Sequence, residues 1–536
     1  VGLDPDGDGP WEPDRRFDAA HREQVAADGA TLLLVVADGR AERSDFTGAL
    51  RALDRAGHIG PRSPVVARRR AACLRALGHE TAAADADREA DSLRPSGAWD
   101  YFLLGDEAYR ARDLPAALRA FQNAVGLRPD DFWSELLLAR CFADRKEWDR
   151  AAACLTTCLV VRPEVVWARL LRGYVHAQAG ALAAADADFT AAESLLAGGD
   201  EGPRFYLHLN RGLLRLRQGR LDDAITDTAA AARLRPDDWV PHLNLARIQA
   251  RAGRKAEAEA ELRIVMGHRP PPFVVADYHG GRARELYEAR RYEEAADECR
   301  KALRQWPDYP QALGYLGQSE LALGHYPEAA RAFDQYLEKG GPPLPDIFRG
   351  RGRARMKLGD YLGARDDYAR VVVEKPSAEI FEYRGWAYFF ADAWQPALRD
   401  FDQALRLDPA RGDAYTGRAL AQVMLGRYRE AVRDADEALK RKPSAAEMMH
   451  NLACVFAQAA ARAEADAAEP DRLTRAAGYR ERAVAAVRQA LALLPADRRA
   501  TFLRDSAVPD RALDPVRDTP AFRALLKEYR LEGGMH

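Results

Sequence analysis

Three histidines are the first candidates for chemistry, because His208, His242 and His279 recur at near-equal spacing. Brought together, three imidazoles would bind a metal or relay protons. If each sits on the equivalent helix of successive structural units, neighbours are roughly 10 Å apart, whereas zinc needs its nitrogens at about 2 Å. The expectation is therefore imidazoles that pack where an aromatic would. Cys154 and Cys158 lie four apart on one helical face, with no histidine close by, and read as small buried side chains. There is no Gly-x-x-x-x-Gly-Lys-Ser/Thr phosphate loop, no Gly-x-Ser-x-Gly elbow and no His-Glu-x-x-His metal helix. Asp45-Phe46-Thr47 approaches a phosphotransferase Asp-Phe-Gly but puts Thr where the glycine belongs. Carboxylates often adjoin arginines, as in Arg365-Asp366-Asp367, a pattern of solvated helical faces. No catalytic residue, metal ligand or cofactor is assigned, and the chain is expected not to be an enzyme.

Residues suited to recognition are more numerous. Arg247 and Arg251 follow Asn244 at i+3 and i+7, roughly on one helical face. Arg284 takes the place of Arg247 in the next unit, and Arg349, Arg353 and Lys357 recur every four residues. None of the last three has a carboxylate four residues away. A positive wall of this kind would favour acidic peptides or a C-terminal carboxylate through charge-assisted hydrogen bonds; a solvated basic face without a ligand is the competing reading. Tyr383, Trp386, Phe389 and Phe390 form an aromatic cluster in which Phe389 suits the core and Trp386 the open face. Trp99, Trp133 and Trp167, evenly spaced, are expected to wedge against the preceding unit.

Composition narrows the partner. The chain has 536 residues, 30% charged, with 80 Lys and Arg against 82 Asp and Glu. A net charge of −2 argues against a dominant phosphate-binding surface, though not against a local basic stripe, so no nucleic acid is expected. Six cysteines make no disulfide framework, and no apolar run reaches the ~18 residues of a membrane span. The chain is expected to be soluble and cytoplasmic. It opens on Val1, not Met, into a Gly/Asp/Pro-rich stretch, as either a processed chain or one whose upstream domain has been removed.

The elements that position these residues are repeats. Closing prolines at 61, 95, 129 and 163, at 236, 270 and 307, and at 376, 409, 443 and 495, with two proline-free closures at about 197 and 341, mark a period near 34. Twenty-four residues before each closure stands a small residue (Gly105, Gly173, Gly212, Gly317, Gly352, Gly385). Twelve before it is Ala117, Ala151, Ala185, Ala224, Ala258, Ala295, Ala329, Ala364, Ala397 or Ala431. Eight before it is often an aromatic, such as Phe121, Phe189, Phe333, Tyr368 or Phe401. Small residues at such spacings let antiparallel helices approach closely, and proline stops the second helix.

This register resembles the tetratricopeptide repeat. The resemblance implies an all-α superhelical solenoid of about thirteen helical hairpins. The expected organisation is an N-terminal linker and start of a capping helix (1–26), an N-terminal array (27–197), an inter-repeat loop (198–204) and a central array (205–341). A C-terminal array with an elongated last repeat (342–495) and a C-terminal cap (496–536) complete it. The tail Val508–Tyr529 resembles the closing segment of repeat arrays attached to bacterial Ser/Thr protein kinases, which implies an upstream kinase domain. In such arrays the first helix of each pair lines a concave groove, where an asparagine can hold an extended peptide backbone. Asn210 and Asn244 fall at that place, and Asn451 at the corresponding one near the C-terminus. Asn210 and Asn244, with Arg247, Arg251, Arg284, Arg349, Arg353, Lys357, Tyr383 and Trp386, form the expected peptide-binding set. The expected function is a non-catalytic scaffold for a protein or peptide partner, acidic where it meets these cations, serving as the regulatory or recruiting arm of a larger signalling protein. The alternative is a substrate-presenting accessory region of an enzyme such as a transferase.

Overall fold

Uniform units of this length fold into helices of uniform length, each too short to be stable without a neighbour on which to bury its apolar stripe. A computed structural model describes residues 18–95, 97–196 and 200–531. The opening Gly/Asp/Pro-rich stretch and residues 197–199, two of them in the expected loop, lie outside them, and the helix Glu201–Arg217 already begins inside the span 198–204 expected as loop. The chain divides at Arg269 into two compact units.

In the first unit, helices pair as Ala19–Glu42 with Phe46–Ile59, Pro64–Ala76 with Glu80–Ser92, Ala98–Arg110 with Leu114–Leu127, Phe132–Asp144 with Trp148–Val161, Val166–Ala179 with Leu182–Leu195, Glu201–Arg217 with Leu221–Leu234, and Trp239–Arg251 with Lys255–Gly267. The second unit repeats the plan. Its pairs are Pro272–Glu288 with Tyr292–Gln305, Pro310–Leu323 with Tyr326–Glu338, Pro345–Leu358 with Tyr361–Glu374, Ala378–Phe390 with Trp394–Leu407, Gly412–Met424 with Tyr428–Lys440, and the longer Ala446–Ala465 with Arg472–Ala492. Short pieces follow: Ala496–Phe502, a π-helical turn Leu503–Ala507, a 3-10 turn Arg511–Leu513, Asp514–Arg517 and Pro520–Glu528. The described residues thus form thirteen antiparallel hairpins, each stacked on its neighbours within its unit, an all-α solenoid. No described helix is long and apolar enough to cross a membrane.

Local chemistry sets the turns. Gly324 and Gly359 end their helices at φ of 82° and 78°, a left-handed conformation that L side chains adopt at a cost. Asp360 then caps the next helix by accepting from the Gly363 amide at 2.9 Å. Asp45, in the motif that approached a phosphotransferase triplet, is a helix cap of the same kind and accepts from the Gly48 amide.

Two adjacent columns of contacts hold each hairpin together. In the first, a small residue faces an aromatic sixteen residues later. A Cβ built on Gly173 would come within 2.6 Å of the Phe189 ring, and one on Gly385 within 2.9 Å of Phe401. Phe401 also touches the following hairpin, where a Cβ on Gly417 would meet it at 2.3 Å. The ten register alanines are all 3% exposed or less.

The second column, one residue earlier, pairs Arg with a buried Asp, again sixteen apart: Arg172–Asp188, Arg211–Asp227, Arg351–Asp367, Arg384–Asp400 and Arg418–Asp434. Arg384 grips Asp400 with Nε and Nη2 at 2.7 and 2.8 Å, the bidentate geometry that best offsets desolvation. Asp367 is therefore not on a solvated face as its Arg-Asp-Asp context suggests. It is 2% exposed and held by Arg351 and Arg355.

The three histidines also differ from expectation. They do not merely fill aromatic positions: His208 Nδ1 pairs with Asp227 at 2.9 Å, His242 with Glu261 at 2.6 Å and His279 with Glu298 at 2.7 Å, each nineteen residues on, in its own hairpin. Of the tryptophans, Trp99 reaches back to donate to Thr31 Oγ1 at 3.0 Å. Trp133 and Trp167 do not wedge, being 46% and 47% exposed. Phe132 takes the inward position beside Trp133, which the helical turn then directs outward, and Trp167 meets Tyr206 of the following hairpin at 5.4 Å. Cys158 is fully buried and Cys154 partly so.

Two outcomes are expected. Arg384→Met strands a buried carboxylate and should cost about 3–5 kcal/mol, while the double variant Arg384→Met/Asp400→Leu recovers most of it. Amide exchange in Ala378–Phe390 and Trp394–Leu407 reads the difference, and equal loss in both variants would refute the pairing argument. The second concerns acid. Burial raises the Glu298 carboxyl, but hydrogen bonds from His279 and Lys301 outweigh it and hold the group at about 2, below its ordinary 4.5. The resulting stability, on the order of 3 kcal/mol, is complete above pH 4.5 and lost as pH falls toward 2. Glu298→Gln should flatten that part of an acid-unfolding curve.

Candidate peptide-binding site

The helices that lead their hairpins supply one wall each to a pocket of about 590 Å³ in the second unit. Pro345–Leu358 contributes Arg353, Met356 and Lys357, Ala378–Phe390 contributes Tyr383, Trp386 and Phe390, Gly412–Met424 contributes Asp413, and Ala446–Ala465 contributes Glu447, Met448 and Asn451. Arg353 and Lys357 are one helical turn apart and share a face. Both are exposed, and among the described residues neither is ion-paired. Arg349, the third member of the expected stripe, is neutralised by Asp346 three residues earlier, at 2.9 Å. The carboxylate spacing that matters on this helix is i−3 and not i+4.

The floor is aromatic. Trp386 stacks on Phe390 at 5.8 Å, and Phe390 on Tyr361 at 5.1 Å. Trp386 also meets the buried Phe401 edge-on at 5.4 Å, which ties the floor to the hairpin column. Tyr383 packs against Tyr368 at 5.7 Å and donates its hydroxyl to Glu379 at 2.6 Å. Burial, then that carboxylate, pushes its phenol up to about 12, so it stays a neutral donor. Phe389 is half-buried and packs with the apolar core.

The structure thus brings Arg353, Lys357, Tyr383 and Trp386 of the expected set together, joined by Asn451, and leaves the other expected residues elsewhere. Asn210 is half-buried, and Asn244 is 9% exposed because Leu243, Leu245 and Ile248 bury the helix around it. Its amide offers a groove ligand little surface. Arg247 is half-buried, whereas Arg251 and Arg284 are exposed. Sequence reasoning missed the opposing wall, where Asp413 and Glu447 make the pocket dipolar. A register signal for the basic and aromatic wall does exist. Arg353 and Trp386 both stand 23 residues before their closing prolines, and Lys357 and Phe390 both stand 19 before them. Asp413 and Glu447 share no such column.

The family described as Tetratricopeptide repeat matches residues 102–157, 209–267, 281–345, 316–379, 349–411 and 384–446. The chain is 31% identical over 129 residues to Tetratricopeptide repeat protein 13 of Homo sapiens, a match spanning 22% of this chain and 14% of that protein. Among solved structures it is similar to MamA from Desulfovibrio magneticus RS-1, at 20% identity and a TM-score of 0.29, over 31% of this chain and 94% of that one. It is also similar to YrrB, described as a TPR protein with an unusual peptide-binding site, at 18% identity and a TM-score of 0.30, over 40% of this chain and 92% of that one. The family matches together cover more than half of the residues, in the same register as the observed hairpins, and the chain belongs to the tetratricopeptide repeat family.

Proposed function

We propose that this member of a family of protein-interaction scaffolds is non-catalytic and captures an extended peptide segment in the pocket between Pro345–Leu358 and Ala446–Ala465. The observation that carries this reading is an aromatic floor set between walls of opposite charge, with no ion pair among the described residues consuming Arg353 or Lys357. An apolar or aromatic side chain of the peptide would lie on Trp386 and Phe390. Acidic groups, or a terminal carboxylate, would face Arg353 and Lys357, and a basic residue would face Asp413 and Glu447. Asn451 has both donor and acceptor for the peptide backbone. Arg251 and Arg284, exposed on their own hairpins, are further candidates for acidic contacts. Within a longer polypeptide the array would act as the regulatory or recruiting arm of a Ser/Thr kinase, a reading supported by the likeness of its tail to such arrays.

Fluorescence anisotropy with labelled peptides that place an aromatic residue between acidic and basic ends tests the pocket. The double charge reversal Arg353→Glu/Lys357→Glu should weaken binding tenfold or more, and Trp386→Ala by a similar factor, whereas Arg349→Glu should have a smaller effect. Binding indifferent to the charge reversal, or no binding to any peptide of this pattern, would overturn the proposal.

A further inference from the structure

A second site lies where the C-terminal pieces fold back on the last hairpin. His450 and Cys454 are one turn apart on Ala446–Ala465 and point to the same side. Asp510, which precedes the 3-10 turn Arg511–Leu513, meets them there. Its Oδ1 accepts from the Ala512 amide at 2.8 Å, which fixes the carboxylate. Its Oδ2 lies 2.8 Å from His450 Nε2 and 3.3 Å from Cys454 Sγ, and Sγ and Nε2 are 3.7 Å apart. One turn further along the same helical face, Gln458 donates to the Ala512 carbonyl at 2.8 Å and anchors the loop that carries Asp510.

The environment argues against a purely hydrogen-bonded role. Cys454 is 3% exposed and belongs to an apolar core with Leu503, Ala507, Leu513 and Val516. His450 is largely buried, and its Nδ1 finds no hydrogen-bond partner among the described residues. Two polar side chains inside or against such a core, with a carboxylate at its edge, cost stability that apolar residues would not. The donor atoms themselves suit a metal. Tetrahedral zinc with nitrogen, sulfur and oxygen ligands places those atoms roughly 3.3–3.6 Å apart, so the observed triangle needs only small adjustment. A mixed imidazole, thiolate and carboxylate set selects zinc over magnesium or calcium.

We infer that His450, Cys454 and Asp510 form a zinc site that clamps the C-terminal segment onto the last hairpin. Coordination releases the thiol proton to solvent and shifts the imidazole proton from Nε2 to Nδ1, leaving a neutral imidazole and two anionic ligands around the dication. The partly exposed Asp510 side leaves a fourth position open to water. The inference is independent of the peptide pocket.

The test uses the full chain, untagged, stripped with EDTA and dialysed against micromolar zinc or cobalt(II). One zinc per chain by elemental analysis is expected, with a thiolate-to-cobalt charge-transfer band and a higher Tm with zinc. Cys454→Ser should abolish the band, and His450→Gln should weaken affinity at least tenfold. Asp510→Asn, at the partly exposed ligand, should weaken affinity likewise without disturbing the core, so a folding defect in Cys454→Ser does not obscure the outcome. No retained metal in the wild-type chain, or an unchanged band in Cys454→Ser, would overturn the inference.

Discussion

Contact between a small residue on the first helix of a hairpin and an aromatic on the second, sixteen residues later, is the constraint on which the rest depends. It sets how closely the helices approach, since a Cβ at Gly173 or Gly385 would occupy space that the opposing ring already fills. The Arg–Asp pairs one residue earlier act on the same two helices but differ in kind. Apolar contact drives burial without direction, whereas a bidentate guanidinium–carboxylate pair accepts little rotation or sliding. Together they hold both distance and register, and Phe401, touching Gly385 and Gly417, carries that register to the next hairpin.

A fixed register turns positions in the repeat into rows on a surface. Arg353 and Trp386 share one row position, and Lys357 and Phe390 another, which is why they meet in one pocket despite lying on different hairpins. The same logic sorts the arginines. Arg351 and Arg355 point between the helices and are consumed by Asp367 and Asp334, while Arg353, between them in sequence, faces outward. Net charge near zero is therefore no guide to the recognition surface, because much of the cationic charge is neutralised within hairpins.

Neighbouring positions on one helix leave little trace of which faces inward. Trp133 and Phe132 are adjacent, and only packing against the neighbouring hairpin decides which turns inward. Asn244 has the same repeat position as Asn210, yet the apolar residues around it bury it more deeply. The histidines followed a regular spacing, but their carboxylate partners nineteen residues on vary between Asp and Glu, and that pairing is visible only once two helices are side by side.

Periodic placement of Gly, Ala, aromatics and Pro by itself determined that the chain is all-α, that it forms thirteen hairpins, and where their core faces lie. Each of those properties depends on contacts within one hairpin or between successive ones, so it repeats and leaves a periodic trace. Tertiary structure alone decided which cations remain unpaired, that Asp413 and Glu447 oppose Arg353 and Lys357, and that Asp510 meets His450 and Cys454. Those juxtapositions join residues from 50 to 100 positions apart with no recurring interval, and they arise only when stacking and the fold-back of the last segment bring the side chains into reach.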